Sequence, residues 1–100
     1  MMIVGMTPVS AADAAGGHTM WGGVTCGKWL QYNTGEARYA AQMWLAGWIT
    51  AANALTPGET DIIDGDLPGA TAWMDNWCGQ NPLQPVAIGA VALRNELLGR

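Results

Sequence analysis

Charged residues are scarce in this sequence, and their arrangement argues against several kinds of partner. They make up 12% of the 100 residues, about half of the share of roughly 25% that is typical of soluble domains. The net charge is −4, and the basic residues are scattered without forming a patch or stripe: Lys28, Arg38, Arg94 and Arg100. Because nucleic-acid binding depends on clustered positive charge, we do not expect this chain to bind DNA or RNA.

The residue types that most hydrolases and metal sites require are nearly absent. Ser10 is the only serine and His18 the only histidine, and both precede the regular part of the sequence, which leaves no material for a Ser-His-Asp triad. No Cys-x-x-Cys spacing indicates a zinc site, and the loop 61–66 lacks the distant Glu of an EF-hand. Asp64 and Asp75 have no spacing that distinguishes them from surface acids. We therefore predict no catalytic residue, no metal and no cofactor, and we do not expect an enzyme.

The sequence also lacks an apolar run that is long enough to span a bilayer. The most apolar stretch, 40–55, is interrupted by Gln42, Thr50 and Asn53, whereas a spanning helix needs ~20 predominantly apolar residues. We interpret this stretch as a buried core helix and predict no transmembrane segment.

The N-terminal residues are similar to the end of a secretory signal peptide. An apolar stretch at 1–6 is followed by small-x-small cleavage patterns at 9–11 and 12–14. The charged region that normally opens a signal peptide is missing, so the segment is either a signal-peptide remnant or a short flexible tail. We assign residues 1–23 to this segment and residues 24–100 to a single helical domain, and we expect a periplasmic or secreted protein.

The two cysteines, Cys26 and Cys78, predict one disulfide bond. A domain of this size buries too little surface to be very stable without help. The bond would close a loop of 52 residues (78 − 26). Closing a loop of that length stabilises the folded state by about 4 kcal/mol in the chain-entropy model. The alternative is a pair of free buried thiols in a cytosolic protein. The disulfide agrees with the export that the N-terminal residues suggest.

Apolar spacing and capping residues predict an all-α fold, a small bundle of four or at most five helices. The four are 26–32 after the cap Thr25, a long helix that Thr34 caps and that ends at about Asn53 or Leu55, a third from about Pro68 to about Gly79, and a last one opened by Asn81 and Pro82. In the long helix we expect a stripe of small residues to admit a neighbouring helix: Ala40, Gly47 and Ala51. The last helix carries an apolar stripe with alternating spacings of three and four: Leu83, Val86, Ala90, Leu93 and Leu97.

The tryptophans and the acidic loop are the candidate partner-binding features. A bundle of this size cannot bury all of its tryptophans, which are Trp21, Trp29, Trp44, Trp48, Trp73 and Trp77. We expect Trp21 and Trp29, at the less regular end, to be exposed and to contact a partner, since aromatic residues dominate interface hot spots. The acidic loop containing Asp61, Asp64 and Asp66 is either plain solvated surface or a negative patch for a basic partner.

Three short motifs carry a family resemblance over roughly residues 24–98. They are Thr25-Cys26-x-x-Trp29-Leu30, Gly47-Trp48-Ile49, and Trp77-Cys78-x-x-Asn81-Pro82 before a final Ala/Leu helix. This pattern resembles small periplasmic helical proteins, among them the HdeA acid-stress chaperone and the Rap/Tai-type immunity proteins of type VI secretion. The resemblance implies a disulfide-bonded bundle in the periplasm that binds either a client at low pH or a toxic effector. The acid chaperones are rich in charge and this chain is not, which favours the immunity type.

These observations lead to one main hypothesis and two alternatives. The main hypothesis is a non-catalytic, exported protein-binding module, whose partner is an effector or an assembly subunit. The first alternative is an acid-stress chaperone, which would loosen near pH 2–3 and bind clients there. The second is a small accessory subunit of an extracellular or membrane-associated assembly. A homodimer is compatible with each hypothesis.

Overall fold

The computed structural model describes residues 21–58, 61 and 63–99, and within these ranges the chain folds as four α-helices without a β-strand. The helices are α1 (Cys26–Gln31), α2 (Gly35–Leu55), α3 (Leu67–Gln80) and α4 (Val86–Leu98). The all-α bundle predicted from the sequence is confirmed. The predictions for Ser10, His18 and the signal peptide lie outside the described residues. Of the predicted N-terminal segment 1–23, only residues 21–23 are described.

Capping residues determine where two of the helices begin. The side chain of Thr25 accepts a hydrogen bond from the backbone N–H of Lys28 at the start of α1, as predicted. Asp66 does the same for Gly69 at the start of α3, with Pro68 in the first turn. Thr34 occupies the predicted N-cap position of α2, but its side chain makes no capping hydrogen bond. The next residue, Gly35, has a φ of +78°, which glycine adopts without strain.

The last helix begins later than the sequence predicts. α4 starts at Val86, and Leu83 precedes it and is 96% exposed, so its place in the apolar stripe is wrong. The cause is an interaction between distant parts of the chain: Val86 N–H donates to the carbonyl of Val24, and Cys26 N–H donates to the carbonyl of Gln84. These bonds hold Pro85 in an extended conformation opposite Thr25, directly before α4. The rest of the predicted stripe faces inward, with Val86, Ala90 and Leu93 buried.

The core is built around the disulfide between Cys26 and Cys78, which confirms the predicted pair. Both cysteines are fully buried and link α1 to α3. The buried residues packed with them come from all four helices: Trp29, Ala41, Leu45, Met74, Val86 and Ala90. Among the helices of the described part, none is both long enough and apolar enough to cross a membrane.

Gly89 allows α4 to approach α3 closely. A Cβ atom at this position would lie 2.6 Å from the sulfur of Met74 and 2.8 Å from the ring of Trp77, and Trp77 is itself stacked on Trp73. We expect Gly89→Ala to lower the free energy of unfolding by about 1–2 kcal/mol, because overpacking outweighs the gain in helix propensity. Urea denaturation would measure the change.

Gly79 provides the matched control for this substitution. It lies in α3, and no atom is within 4 Å of the Cβ that alanine would add there. Gly79→Ala should leave stability unchanged or raise it slightly. Equal effects at the two positions would show that close packing at Gly89 is not the cause.

Candidate protein-binding face

Trp21 is exposed, as the sequence predicts, and lies beside the middle of α2. Its side chain is 85% exposed, while its carbonyl oxygen accepts a hydrogen bond from the indole N–H of Trp44. The backbone of Gly22 and Gly23 lies against the ring of Trp44. Residues 21–23 are therefore held on α2, and the ring of Trp21 projects into solvent at that point.

Trp29 is fully buried, so the prediction that it is exposed for partner contact is wrong. Its indole N–H donates to a carboxylate oxygen of Asp75 at 2.7 Å, and the guanidinium of Arg38 lies 4.5 Å from its ring centroid. The polar edge of the indole has an acceptor inside the fold, which removes the cost of burying it. Trp29 packs with the disulfide in the core rather than on the surface.

The same contacts occupy Arg38 and Asp75. Nη2 of Arg38 donates to both carboxylate oxygens of Asp75, at 2.8 and 3.0 Å, and Nη1 donates to the carbonyl of Trp29 at 3.2 Å. This cluster joins α1, α2 and α3. Asp75 therefore has a structural role and is not available to pair with Asp64 in acid–base chemistry.

All three acids of the acidic loop, Asp61, Asp64 and Asp66, are exposed. Asp66 also caps the N-terminus of α3. The loop is attached to α2 by Asn53, whose side chain exchanges two hydrogen bonds with the backbone of Ile63, at 2.9 and 3.0 Å. No group of three metal-ligating side chains occurs within the described ranges.

A cavity of about 400 Å³ lies beneath this loop. Ile49 and Leu93 contribute apolar lining, and Asp64 and Asp66 lie on its loop side. Asp66 already caps a helix, and the other polar side chains of the lining are Asp64 and Thr50. This composition gives it no catalytic constellation.

An uncharged surface that the sequence pattern did not indicate as a binding surface lies on α2. Every exposed residue between positions 39 and 55 is uncharged. We call these residues the α2 face: Tyr39, Ala40, Met43, Gly47, Thr50, Ala51, Ala54 and Leu55. Tyr39 is 63% exposed and Leu55 is 82% exposed. At a rise of 1.5 Å per residue, the α2 face is about 24 Å long.

The α2 face corrects one prediction about the small residues of this helix. The stripe of Ala40, Gly47 and Ala51 predicts that another helix approaches α2 there, but all three residues are exposed. The bundle packs instead on the opposite side of α2, through Ala41 and Leu45. The small-residue stripe that suggested helix packing is real in the sequence, but nothing in the described part of the chain covers it.

Two shallow cavities flank this side of α2. One, of about 270 Å³, is bordered by Gly22, Tyr32 and Trp44. The other, of about 280 Å³, is bordered by Trp48, Leu55 and Arg94. Both are lined mostly by apolar atoms, so the edges of the α2 face can accept side chains of a partner.

The fold and this surface define a small disulfide-bonded helical bundle with an uncovered helix face. No family model, curated protein or solved structure matches the chain. The resemblance to acid-stress chaperones and type VI immunity proteins therefore depends on the three sequence motifs alone.

Proposed function

We propose that this protein is an exported, non-catalytic module that binds another protein chain, of the immunity or assembly-partner kind, and that the α2 face is its docking surface. The α2 face carries this proposal: eight neighbouring exposed positions have no charge, although α2 is the longest helix. Exposed apolar patches of a few hundred Å² on soluble proteins are often interaction sites. Laying a helix along such a face is a recurrent mode of recognition.

The disulfide supports the exported location within this proposal. Disulfides persist in the periplasm and outside the cell but are rare in the reducing cytosol. The Cys26–Cys78 bond is in the centre of the core, where it supports a domain that is too small to rely on burial alone.

Two exposed aromatic residues supply candidate hot spots. Tyr39 is part of the α2 face, and Trp21 lies beside it on Trp44. Tyrosine and tryptophan are enriched among the residues that dominate binding energy. The exposed acids Asp61 and Asp64 would add attraction for a partner with basic residues at its rim, which affects the association rate more than the affinity.

The proposal is tested by affinity capture from an envelope extract of the native source at pH 7. The immobilised proteins are the wild type, Thr50→Glu on the α2 face, and Ala72→Glu on the outer side of α3 as a control with the same charge change. We expect the wild type and Ala72→Glu to retain the same partner protein in equal amounts. Thr50→Glu should retain it at least about tenfold less, because a charge buried without a partner in an apolar interface is costly.

Four outcomes would contradict the proposal or replace it. Retention of no protein would reject a binding module, and equal retention by Thr50→Glu would reject the α2 face. Capture of many denatured proteins at pH 3 alone would replace the proposal by the chaperone hypothesis. Retention of a complete multi-subunit assembly would favour the accessory-subunit alternative.

A further inference from the structure

Gly47 is at the centre of the α2 face, and no contact within the described chain requires a glycine there. A Cβ at this position would meet no atom within 4 Å, and the residue does not have a positive φ. Glycine inside a helix is less favourable than alanine, and no packing within the described ranges compensates for its presence in the middle of this alanine-rich helix. Small residues at such positions let a second helix approach closely.

The residues around Gly47 are arranged so that the α2 face complements itself. Suppose that two copies of α2 cross in antiparallel orientation about a two-fold axis at Gly47. Each residue then meets the residue of the second copy that lies the same number of positions from Gly47 in the opposite direction along the sequence. Met43 then meets Ala51 of the second copy, and Tyr39 meets Leu55. A large residue faces a small one near the axis, and large apolar residues meet at the ends, where crossing helices diverge.

Charges at the ends of α2 are complementary in the same arrangement. Glu36, exposed in the first turn of α2, would arrive one turn beyond Leu55 of the other copy, next to the cavity that Arg94 borders. The structure records no ion pair for either residue among the described ranges. The two-fold axis would create this Glu36–Arg94 pair twice, and antiparallel helix dipoles add a further favourable term.

We propose that the occupant of the α2 face is a second copy of this chain, docked antiparallel with Gly47 on the two-fold axis. The inference deepens the proposed function and depends on its assignment of the α2 face as a protein-binding surface. The interface is isologous, as in most homodimers. The α2 face itself carries no charge, although each copy has a net charge of −4.

The size of the α2 face predicts a weak and reversible dimer. A strip about 24 Å long and 10–12 Å wide covers roughly 250–300 Å² per copy, well below the ~800 Å² per partner that is usual for stable complexes. Sedimentation velocity on the purified full chain should therefore cover concentrations from roughly 10 µM to 1 mM, the range for transient association.

Substitutions at the axis test the inference directly. Gly47→Glu should raise the dimer Kd at least about tenfold, because it places two carboxylates at the axis. Gly47→Ala should weaken the dimer less while raising the melting temperature of the monomer, since its Cβ meets nothing in the single chain. Glu36→Arg and Arg94→Glu should each weaken the dimer, and the double variant should restore it. Ala72→Glu is the control that should leave the Kd unchanged.

The results separate this inference from the proposed function. A chain that stays monomeric to about 1 mM, or a dimer that Gly47→Glu leaves intact, would overturn the second copy as occupant. Such a monomer can instead capture a different envelope protein in the affinity experiment. If Thr50→Glu abolishes that capture, the α2 face is a protein-binding surface with another partner. Failure of both experiments would reject the face altogether. Circular dichroism on each variant establishes that the helices are retained.

Discussion

Replacing Cys26 and Cys78 together by alanine lowers the free energy of unfolding by about 4 kcal/mol, as measured by urea denaturation. The bond closes a loop with a sequence separation of 52, so its loss gives the unfolded chain much more conformational freedom. For a small domain whose total stability is of order 5–15 kcal/mol, this change is large. We expect the variant to be partly unfolded near 37 °C.

The wild type under reducing conditions is the control for this double variant. Reduction opens the loop but keeps both sulfur atoms in the core, whereas the alanines also remove buried volume. Both samples should lose most of the 4 kcal/mol, and the variant should lose slightly more because of the small cavities. A loss below about 1 kcal/mol in the reduced wild type would contradict the chain-entropy explanation.

Trp29→Ala destabilises the fold by about 3–5 kcal/mol, the range for removing a large aromatic side chain from a core. The side chain is fully buried, and its removal also takes the indole donor from Asp75 and the ring from beneath Arg38. Thermal and urea denaturation would measure the loss. Trp29→Phe separates the two contributions, since it keeps most of the apolar volume but removes the N–H.

Trp21→Ala is the matched control, because the same change is made at a side chain that is 85% exposed. Its effect on stability should be within about 0.5 kcal/mol, as for most surface substitutions. Comparable losses at Trp21 and Trp29 would mean that the two residues are not in the environments described above.

Most of the helical architecture can be predicted from the sequence, because helix caps and apolar spacing are local patterns. Capping by Thr25 and the apolar spacing of α2 depend on residues within a few positions of each other. The predicted start of α4 is wrong because Pro82 satisfies a local rule for a helix start. The actual start at Val86 depends on backbone hydrogen bonds with Val24 and Cys26. No local pattern contains those bonds.

The candidate site was predicted less well, for two different reasons. Trp29 is three residues after Cys26 on the same side of α1, so a disulfide in the core already places the tryptophan there. Its polar partner, Asp75, is 46 residues away and could not be inferred from spacing. For α2, small residues indicate close helix approach but not which helix approaches, and only the packing of Ala41 and Leu45 shows that the stripe is left uncovered.

The position of the disulfide also determines how the domain responds to a pulling force on its two ends. Tension enters near Trp21, crosses from Cys26 to Cys78 through the covalent bond, and continues into α4. The segment between the cysteines bears no load, which removes roughly 170–190 Å from the fully stretched length. Because α2 lies entirely inside that segment, the helix with the exposed face stays mechanically shielded while the two ends are under strain.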